Sequence, residues 1–276
     1  MPTTQADKAV RFHALHERPG AFVIPNPCDA GTARILESLG FEALTTTSAG
    51  LAFALGRPDG SVGRQETLEN ARQIVEATDL PVAADLENGY GDSPAEAAET
   101  IRLAGRVGLV GGSIEDRSAS PRRIYDLDHS VERVAAAVEA ARALPFPFML
   151  VARAENFLEG RPDLDDTIRR LQAYESAGAD VLYAPGVTTE EQIRAVCSAV
   201  SKPVNVVMGL RSAHFSVAEL AGMGVKRISV GSTLSRAALG AFIRAAEEMR
   251  DHGTFHFADQ APPFAELNDL FGRRST

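Results

Sequence analysis

Cysteine is scarce. The 276 residues hold two, Cys28 and Cys197, far apart and without CxxC or Cys/His spacing, which argues against a disulfide framework and a structural zinc site. Both thiols are expected to be buried as small apolar side chains. Positive charge is also in deficit: 28 Lys plus Arg against 37 Asp plus Glu leaves a formal charge of −9 and a pI near 5.2. A nucleic-acid partner needs the opposite surplus and is not expected. No apolar run approaches the roughly 20 residues that span a bilayer. Residues 1–10, with Asp7 and Lys8, lack the apolar centre of a secretory leader. No membrane partner and a cytoplasmic location are therefore expected.

What is present is a folded-protein balance, 45% hydrophobic and 24% charged, rather than the composition of a disordered chain or a coiled coil. Apolar residues fall in eight short stretches, 21–25, 43–47, 82–85, 109–114, 148–152, 181–183, 204–207 and 227–230. Each leads through a polar or glycine-containing junction into a helical pattern: 32–39, 66–77, 94–105, 131–144, 164–177, 190–200, 217–223 and 234–250. Ser93-Pro94 with Glu96 marks a helix start, and Gly40, Gly178 and Gly224 mark helix ends. Strands separated by helices must run parallel. Eight such units in about 250 residues predict an α/β fold of the (β/α)8 barrel type. An open doubly wound sheet would place a glycine-rich loop after the first strand, whereas Pro25-Asn26-Pro27-Cys28-Asp29 has no glycine and two prolines.

The barrel is expected to occupy residues 1–253 and a helical tail residues 254–276. Phe255, Phe257, Phe264, Leu267, Leu270 and Phe271 make that tail too apolar to stand in solvent. Its own barrel and a neighbouring subunit are both open as the covering surface.

In such a barrel the ends of the strands share one cavity, so polar residues there are the site candidates. Asp85 and Glu87, two apart in extended chain, point to one side, and Glu115 arrives from the adjacent strand. Three carboxylates in one cavity repel unless a cation sits among them, and oxygen ligation suits Mg2+, with Mn2+ as a substitute. Ser48-Ala49-Gly50 offers small residues and backbone amides in a turn, a nest for a substrate carboxylate. Arg153 closes an apolar strand, an expensive place for a guanidinium unless it pairs with Glu115, Glu155 or a substrate carboxylate. Asn205 is a further candidate substrate contact.

Taken together, Asn26-Pro27-Cys28-Asp29-Ala30, Ser48-Ala49-Gly50, Gly56-Arg57-Pro58-Asp59-Gly60, Asp85-Leu86-Glu87-Asn88-Gly89-Tyr90-Gly91, Ser113-Ile114-Glu115-Asp116 and Ala152-Arg153-Ala154-Glu155 resemble the isocitrate lyase and phosphoenolpyruvate mutase superfamily over nearly the whole chain. The resemblance implies a modified barrel, Mg2+ held directly or through water by Asp85, Glu87 and Glu115, and a substrate carboxylate on the amides around Ser48, Ala49 and Gly50. Arg153 would bind the 2-oxo or enolate oxygen. Asp59, Glu115 and Tyr125 are the other candidate catalytic residues, Tyr125 as a substitute proton donor or gate, with Asp126, Arg122 and Arg123, in a loop that does not match the family. The resemblance also implies a swapped C-terminal helix and a homo-oligomer built as a dimer of helix-swapped dimers.

One segment departs from the pattern. Lyases of the superfamily carry Lys-Lys/Arg-Cys-Gly-His after the fourth strand, where this chain reads Pro121-Arg122-Arg123-Ile124-Tyr125-Asp126 and offers no thiol. The mutase branch has a loop with lysine and asparagine, also absent. The reading at this point is a Mg2+-dependent carbon–carbon lyase for a small 2-hydroxy or 2-oxo di- or tricarboxylate, 2-methylisocitrate-like or oxaloacetate-like, working through an enolate. The alternatives are P–C bond chemistry on phosphonopyruvate, or a 2-oxo-acid-binding protein without turnover.

Overall fold

A computed structural model of the chain describes residues 3–119, 121–209 and 214–272. Its strands, in chain order, are β1 (Phe22–Ile24), β2 (Leu44–Thr45), β3 (Val82–Asp85), β4 (Gly111–Glu115), β5 (Arg117–Ser118), β6 (Arg123–Ile124), β7 (Met149–Arg153), β8 (Val181–Tyr183), β9 (Val204–Val207) and β10 (Arg227–Ser229). All but β5 and β6 form one parallel sheet in the order β1-β10-β9-β8-β7-β4-β3-β2. Its two edges meet where the Thr45 amide donates to the Pro25 carbonyl at 3.1 Å. The sheet is thus a (β/α)8 barrel, and the small antiparallel hairpin of β5 and β6 rides on the loop after β4.

The outer helices are α2 (Ala30–Ser38), α4 (Arg64–Ala77), α5 (Pro94–Arg106), α6 (Leu127–Arg142), α7 (Leu164–Ser176), α8 (Glu190–Ala199), α9 (Val217–Gly222) and α10 (Thr233–His252), matching the eight expected ones to within a few residues. Ser93 and Glu96 form a full capping box on α5. Gly40, Gly178 and Gly224 have φ of 84°, 100° and 96°, left-handed geometry that spares glycine the steric cost of a Cβ.

Three elements were not expected: the hairpin, α1 (Gln5–Glu17) and α3 (Ser48–Ala54). Thr4 and Asp7 cap α1 reciprocally. Its Ala9, Phe12 and Leu15 pack with Phe22, Ile24, Ala83, Val151 and Val181 and close the floor of the barrel. Burial there exacts a condition on His16. Its ring stands edge-on to Phe12 and Phe22, with centroids 4.8 and 5.0 Å apart, and Nδ1 lies 2.8 Å from the Phe12 carbonyl. In the unfolded chain a histidine titrates near 6.5; burial, then the nearby Arg227, holds His16 down at about 3. Between those values the unfolded chain binds the additional proton, so stability present above about pH 6.5 is lost as the pH falls toward 3. His16→Leu is expected to flatten the acid limb of the stability curve by up to about 3 kcal/mol between pH 7 and 4. Parallel urea melts of both proteins across that range check it, and identical slopes would show that His16 is not the acid-sensitive group.

The last turns of the chain look outward. None of the 20 residues of α10 is buried, and Phe242 is 73% exposed, so the unpartnered apolar surface begins ahead of residue 254. Beyond it, α11 (Phe264–Gly272) docks on α2, where Arg34 Nη1 donates to the Phe271 carbonyl at 2.8 Å. Phe264 nevertheless remains 81% exposed. Cys28, between β1 and α2, and Cys197, within α8, are half-buried rather than buried. No helix among the described residues is long and apolar enough to cross a membrane.

Candidate active site

Registered neighbours in a parallel sheet point to the same face, so the pairings Glu115–Arg153, Arg153–Tyr183, Tyr183–Asn205 and Asn205–Arg227 place these side chains on one inward-turning path. They and Asp85 come from strand residues that a packed barrel would fill with valine or leucine. Polar side chains hollow out a cavity of about 200 Å3, lined among others by Ser48, Asp59, Asp85, Arg153, Asn205 and Arg227.

Arg153 is its centre. Nη1 donates to Asp85 Oδ1 at 2.8 Å and Nε to Glu155 Oε1 at 2.8 Å, while Nη2 lies 3.1 Å from Glu115 Oε2. The two protein pairings weighed for Arg153 are thus both made, and Asp85 is added. Three of the five guanidinium N–H groups are engaged, which leaves one on each terminal nitrogen for a ligand oxygen. Burial pushes Asp85 up, but Arg153 and then Ser48 outweigh it and hold the carboxyl below its ordinary range. Burial pushes Glu115 and Glu155 up against the pull of Arg153. Arg117, which the sequence reading passed over, supplies a second cation to Glu115 at 2.7 Å.

Among the described residues the Glu87 carboxylate has no ion-pair partner, although Arg117 exerts a weaker pull from a distance. Glu87 has a left-handed backbone at φ 48°, its Oε1 is buried without a partner, and burial, then the charges of Asp85, Glu115 and Asp59, push it up to about 8. The strand ends at Asp85, so the two-residue spacing no longer enforces a common direction. Asp85 faces the main cavity, while Glu87 and Glu115 face an adjoining one of about 70 Å3, and Asp59 lines both. Among the described residues no three acidic, His or Cys side chains stand close enough to hold one ion. The donor set fits a hard divalent cation nonetheless: all oxygens, mutually repelling, with one buried oxygen orphaned.

Ser48-Ala49-Gly50 is not a turn but the first turn of α3. Thr47 caps it, accepting the Gly50 amide at 3.2 Å, and Asp85 takes the Ser48 hydroxyl at 2.8 Å and its amide at 3.3 Å. Of the three amides expected to greet a carboxylate, only that of Ala49 is free of a side-chain acceptor. The short polar residues that suggested a turn are those that cap a helix. Gly50 has no room for a Cβ, which would meet Thr47 Cγ2 at 2.5 Å.

Tyr125 is not brought to the cavity. Its hydroxyl donates to Asp92 Oδ1 at 2.6 Å and accepts from Asn88 at 3.2 Å, beneath the guanidinium of Arg133, and burial then Asp92 push it up to about 12. A tyrosine so held serves the packing of α6. Arg122 reaches from the hairpin to Glu159, in the loop after β7, at 2.7 Å. Asp116 likewise turns inward to Arg170 and Tyr174, at 3.0 and 2.6 Å, a brace behind the site. Asn205 does line the cavity; it donates to Ser229 at 3.1 Å and leaves its Oδ1 unpartnered. Arg227 escaped the sequence reading altogether, although an arginine alternating with a serine inside an apolar strand was its signal.

Comparisons with known proteins bear on the family and the fold. The family model described as phosphoenolpyruvate phosphomutase matches residues 12–250. A solved structure from Burkholderia cenocepacia, provisionally described as a lyase/mutase, superposes with a TM-score of 0.96 at 60% identity, covering 98% of each chain. The 2,3-dimethylmalate lyase of Eubacterium barkeri is 30% identical over 277 residues, 96% of this chain and 94% of its own. The 2-methylisocitrate lyase of Bacillus subtilis is 28% identical over 261 residues, 91% and 85% of the two chains.

Proposed function

The chain belongs to the phosphoenolpyruvate phosphomutase family, within the isocitrate lyase and phosphoenolpyruvate mutase superfamily, and we propose that it is a Mg2+-dependent carbon–carbon lyase acting on a small 2-hydroxy or 2-oxo di- or tricarboxylate. The observation that carries this reading is the largely buried Arg153, 12% exposed and bound by three carboxylates yet keeping two N–H groups at the strand-end cavity. The names of the relatives, a dimethylmalate lyase and a methylisocitrate lyase, support the substrate class.

When a 2-hydroxyl group gives up its proton, negative charge develops on that oxygen and closes the C=O bond of the oxo-acid product. The electron pair of the broken carbon–carbon bond spreads as an enolate over the carboxylate of the other fragment, which takes up the proton again. Arg153 is aimed where that negative charge develops, and it is already fixed by Asp85, Glu115 and Glu155, so little reorganisation is needed during reaction. A hard divalent ion, held by Asp85 with Glu87 and Glu115 directly or through water, would add charge stabilisation at the same oxygen. Asp59, at the junction of the two cavities, is placed to take the proton of a 2-hydroxyl group. Ser48 orients Asp85, and the amide of Ala49 is left for a substrate carboxylate. Tyr125, tied to Asp92, has no part in these steps.

The exposed apolar faces of α10 and α11 fit a helix exchanged between paired subunits, with four chains in the assembly. One preparation tests the whole reading. Incubated with 2-methylisocitrate, 2,3-dimethylmalate, oxaloacetate and phosphonopyruvate, it should cleave a carbon–carbon bond in Mg2+ and none in EDTA, and light scattering should give the mass of four chains. Phosphate release from phosphonopyruvate, or turnover indifferent to EDTA, would overturn the lyase assignment; a single-chain mass would overturn the helix exchange.

A further inference from the structure

Among the described residues, the buried and nearly buried guanidinium groups have partners, with one exception. Arg153 has three carboxylates, Arg170 has Asp116 and Asp166 at 3.0 and 2.9 Å, and Arg133 donates to the carbonyls of Asn88 and Gly91. Arg227 is 4% exposed, its Nε and Nη1 are buried with no hydrogen-bond partner, and among the described residues it is paired with no carboxylate. Its guanidinium lies over the Phe12 ring, 5.8 Å from the centroid. An uncompensated buried charge costs several kcal/mol, which a fold retains only where something else answers the charge.

Position says what that is. Arg227 lines the same cavity as Arg153. Following the register from Arg153 through Tyr183 and Asn205 to Arg227 takes three steps, from the last residue of β7 to the first of β10. Each step descends one residue along a tilted strand, so Arg227 starts about 8 Å deeper in the barrel. The mouth is crowded with carboxylates, whereas the floor holds a lone cation. Burial lowers the Arg227 pKa to about 10, so it is charged at neutral pH.

We propose that Arg227 is a second anion site at the cavity floor, receiving the far carboxylate of a dicarboxylate whose 2-oxo end is held by Arg153. The proposal rests on the lyase reading for the mouth of the cavity and adds to it a basis for choosing dicarboxylates over monocarboxylates. Two charge-assisted contacts at opposite ends of one short acid also orient it along the barrel axis, which places the bond between them beside Arg153.

Calorimetric titrations of wild type, Arg227→Met and Arg227→Lys with pyruvate and with 2-oxoglutarate, in Mg2+, test it. Pyruvate affinity should agree within about threefold in all three proteins, while 2-oxoglutarate should bind Arg227→Met about thirtyfold or more weakly, with the lysine variant between. Equal affinity for 2-oxoglutarate in wild type and Arg227→Met, or an equal loss for pyruvate, overturns the proposal. Without ligand, Arg227→Met should melt at or above the wild-type temperature, since it removes an unpaired charge; melting more than about 4 °C lower would make Arg227 a packing partner of Phe12 and end the argument. If wild type binds neither acid, the reading of the mouth fails by itself. The floor is then judged by malonate, phosphate and chloride, at least one of which must raise the melting temperature of wild type and not of Arg227→Met; no such difference overturns the anion site as well, and a difference with chloride or phosphate alone assigns it to an inorganic anion instead of a substrate.

Discussion

Arg153→Lys is expected to lower kcat/KM by about a thousandfold or more while the net charge of the site stays the same. The native side chain meets three carboxylates on three different nitrogens, Asp85, Glu115 and Glu155, and keeps two N–H groups for the substrate. An ammonium has three donors on one atom and cannot span that triangle and a ligand together. Freed of its fork, Glu155 keeps only the Asp116-anchored backbone around it, and Glu115 keeps Arg117. Removing one partner of a buried pair exposes the other to the full cost of burial, so the melting temperature should also fall. The fall in rate must exceed what lost folding explains, which is checked by steady-state kinetics at a temperature where both proteins are folded. A lysine variant with wild-type kcat/KM would remove Arg153 from the chemistry.

Asp85→Ala should have the opposite profile, a loss of Mg2+-dependent binding with little change in folding. Asp85 is one of several carboxylates around Arg153 and Arg117, so deleting it relieves repulsion at Glu87, for which Asp85 is the largest cause after burial. The Ser48 hydroxyl and amide lose an acceptor, a cost of about 1–3 kcal/mol that this relief offsets in part. The ion, however, loses the one of its three expected carboxylates that faces the main cavity. Wild type should gain melting temperature as Mg2+ is added and lose it in EDTA; the variant should do neither. A titration in which Asp85→Ala binds Mg2+ as tightly as wild type would refute the assigned ligand.

Much of this architecture was legible in residue order. Eight apolar stretches, each followed by a helical pattern, specify a parallel barrel because period-2 and period-3.6 patterning are local properties. Caps such as Ser93-Pro94 and the glycines at 40, 178 and 224 act within one turn, and they stand where the pattern placed them. The elements that escaped were those whose role is distant. The amphipathic face of α1 has meaning only once a barrel floor exists for Phe12 to close, and Ser48-Ala49-Gly50 reads as a turn until the hydroxyl-capped helix it opens is seen.

The site divides along the same line. Residue order alone determined which acids and which arginine stand at the strand ends, since a strand's last inward residue must face the cavity; Asp85 and Arg153 are there for that reason, and Asn205, two residues before the end of its strand, shares the inward face. The tertiary structure decided the rest: that Glu87, past the end of its strand, turns to the adjoining cavity; that Tyr125 spends its hydroxyl on Asp92; and that Arg227, three registered steps below Arg153, has no counter-charge. The physical reason is range. Backbone periodicity is set by neighbours a few residues away, whereas charge pairing and burial depend on groups brought together from opposite ends of the chain, and only the closed barrel establishes which of them meet.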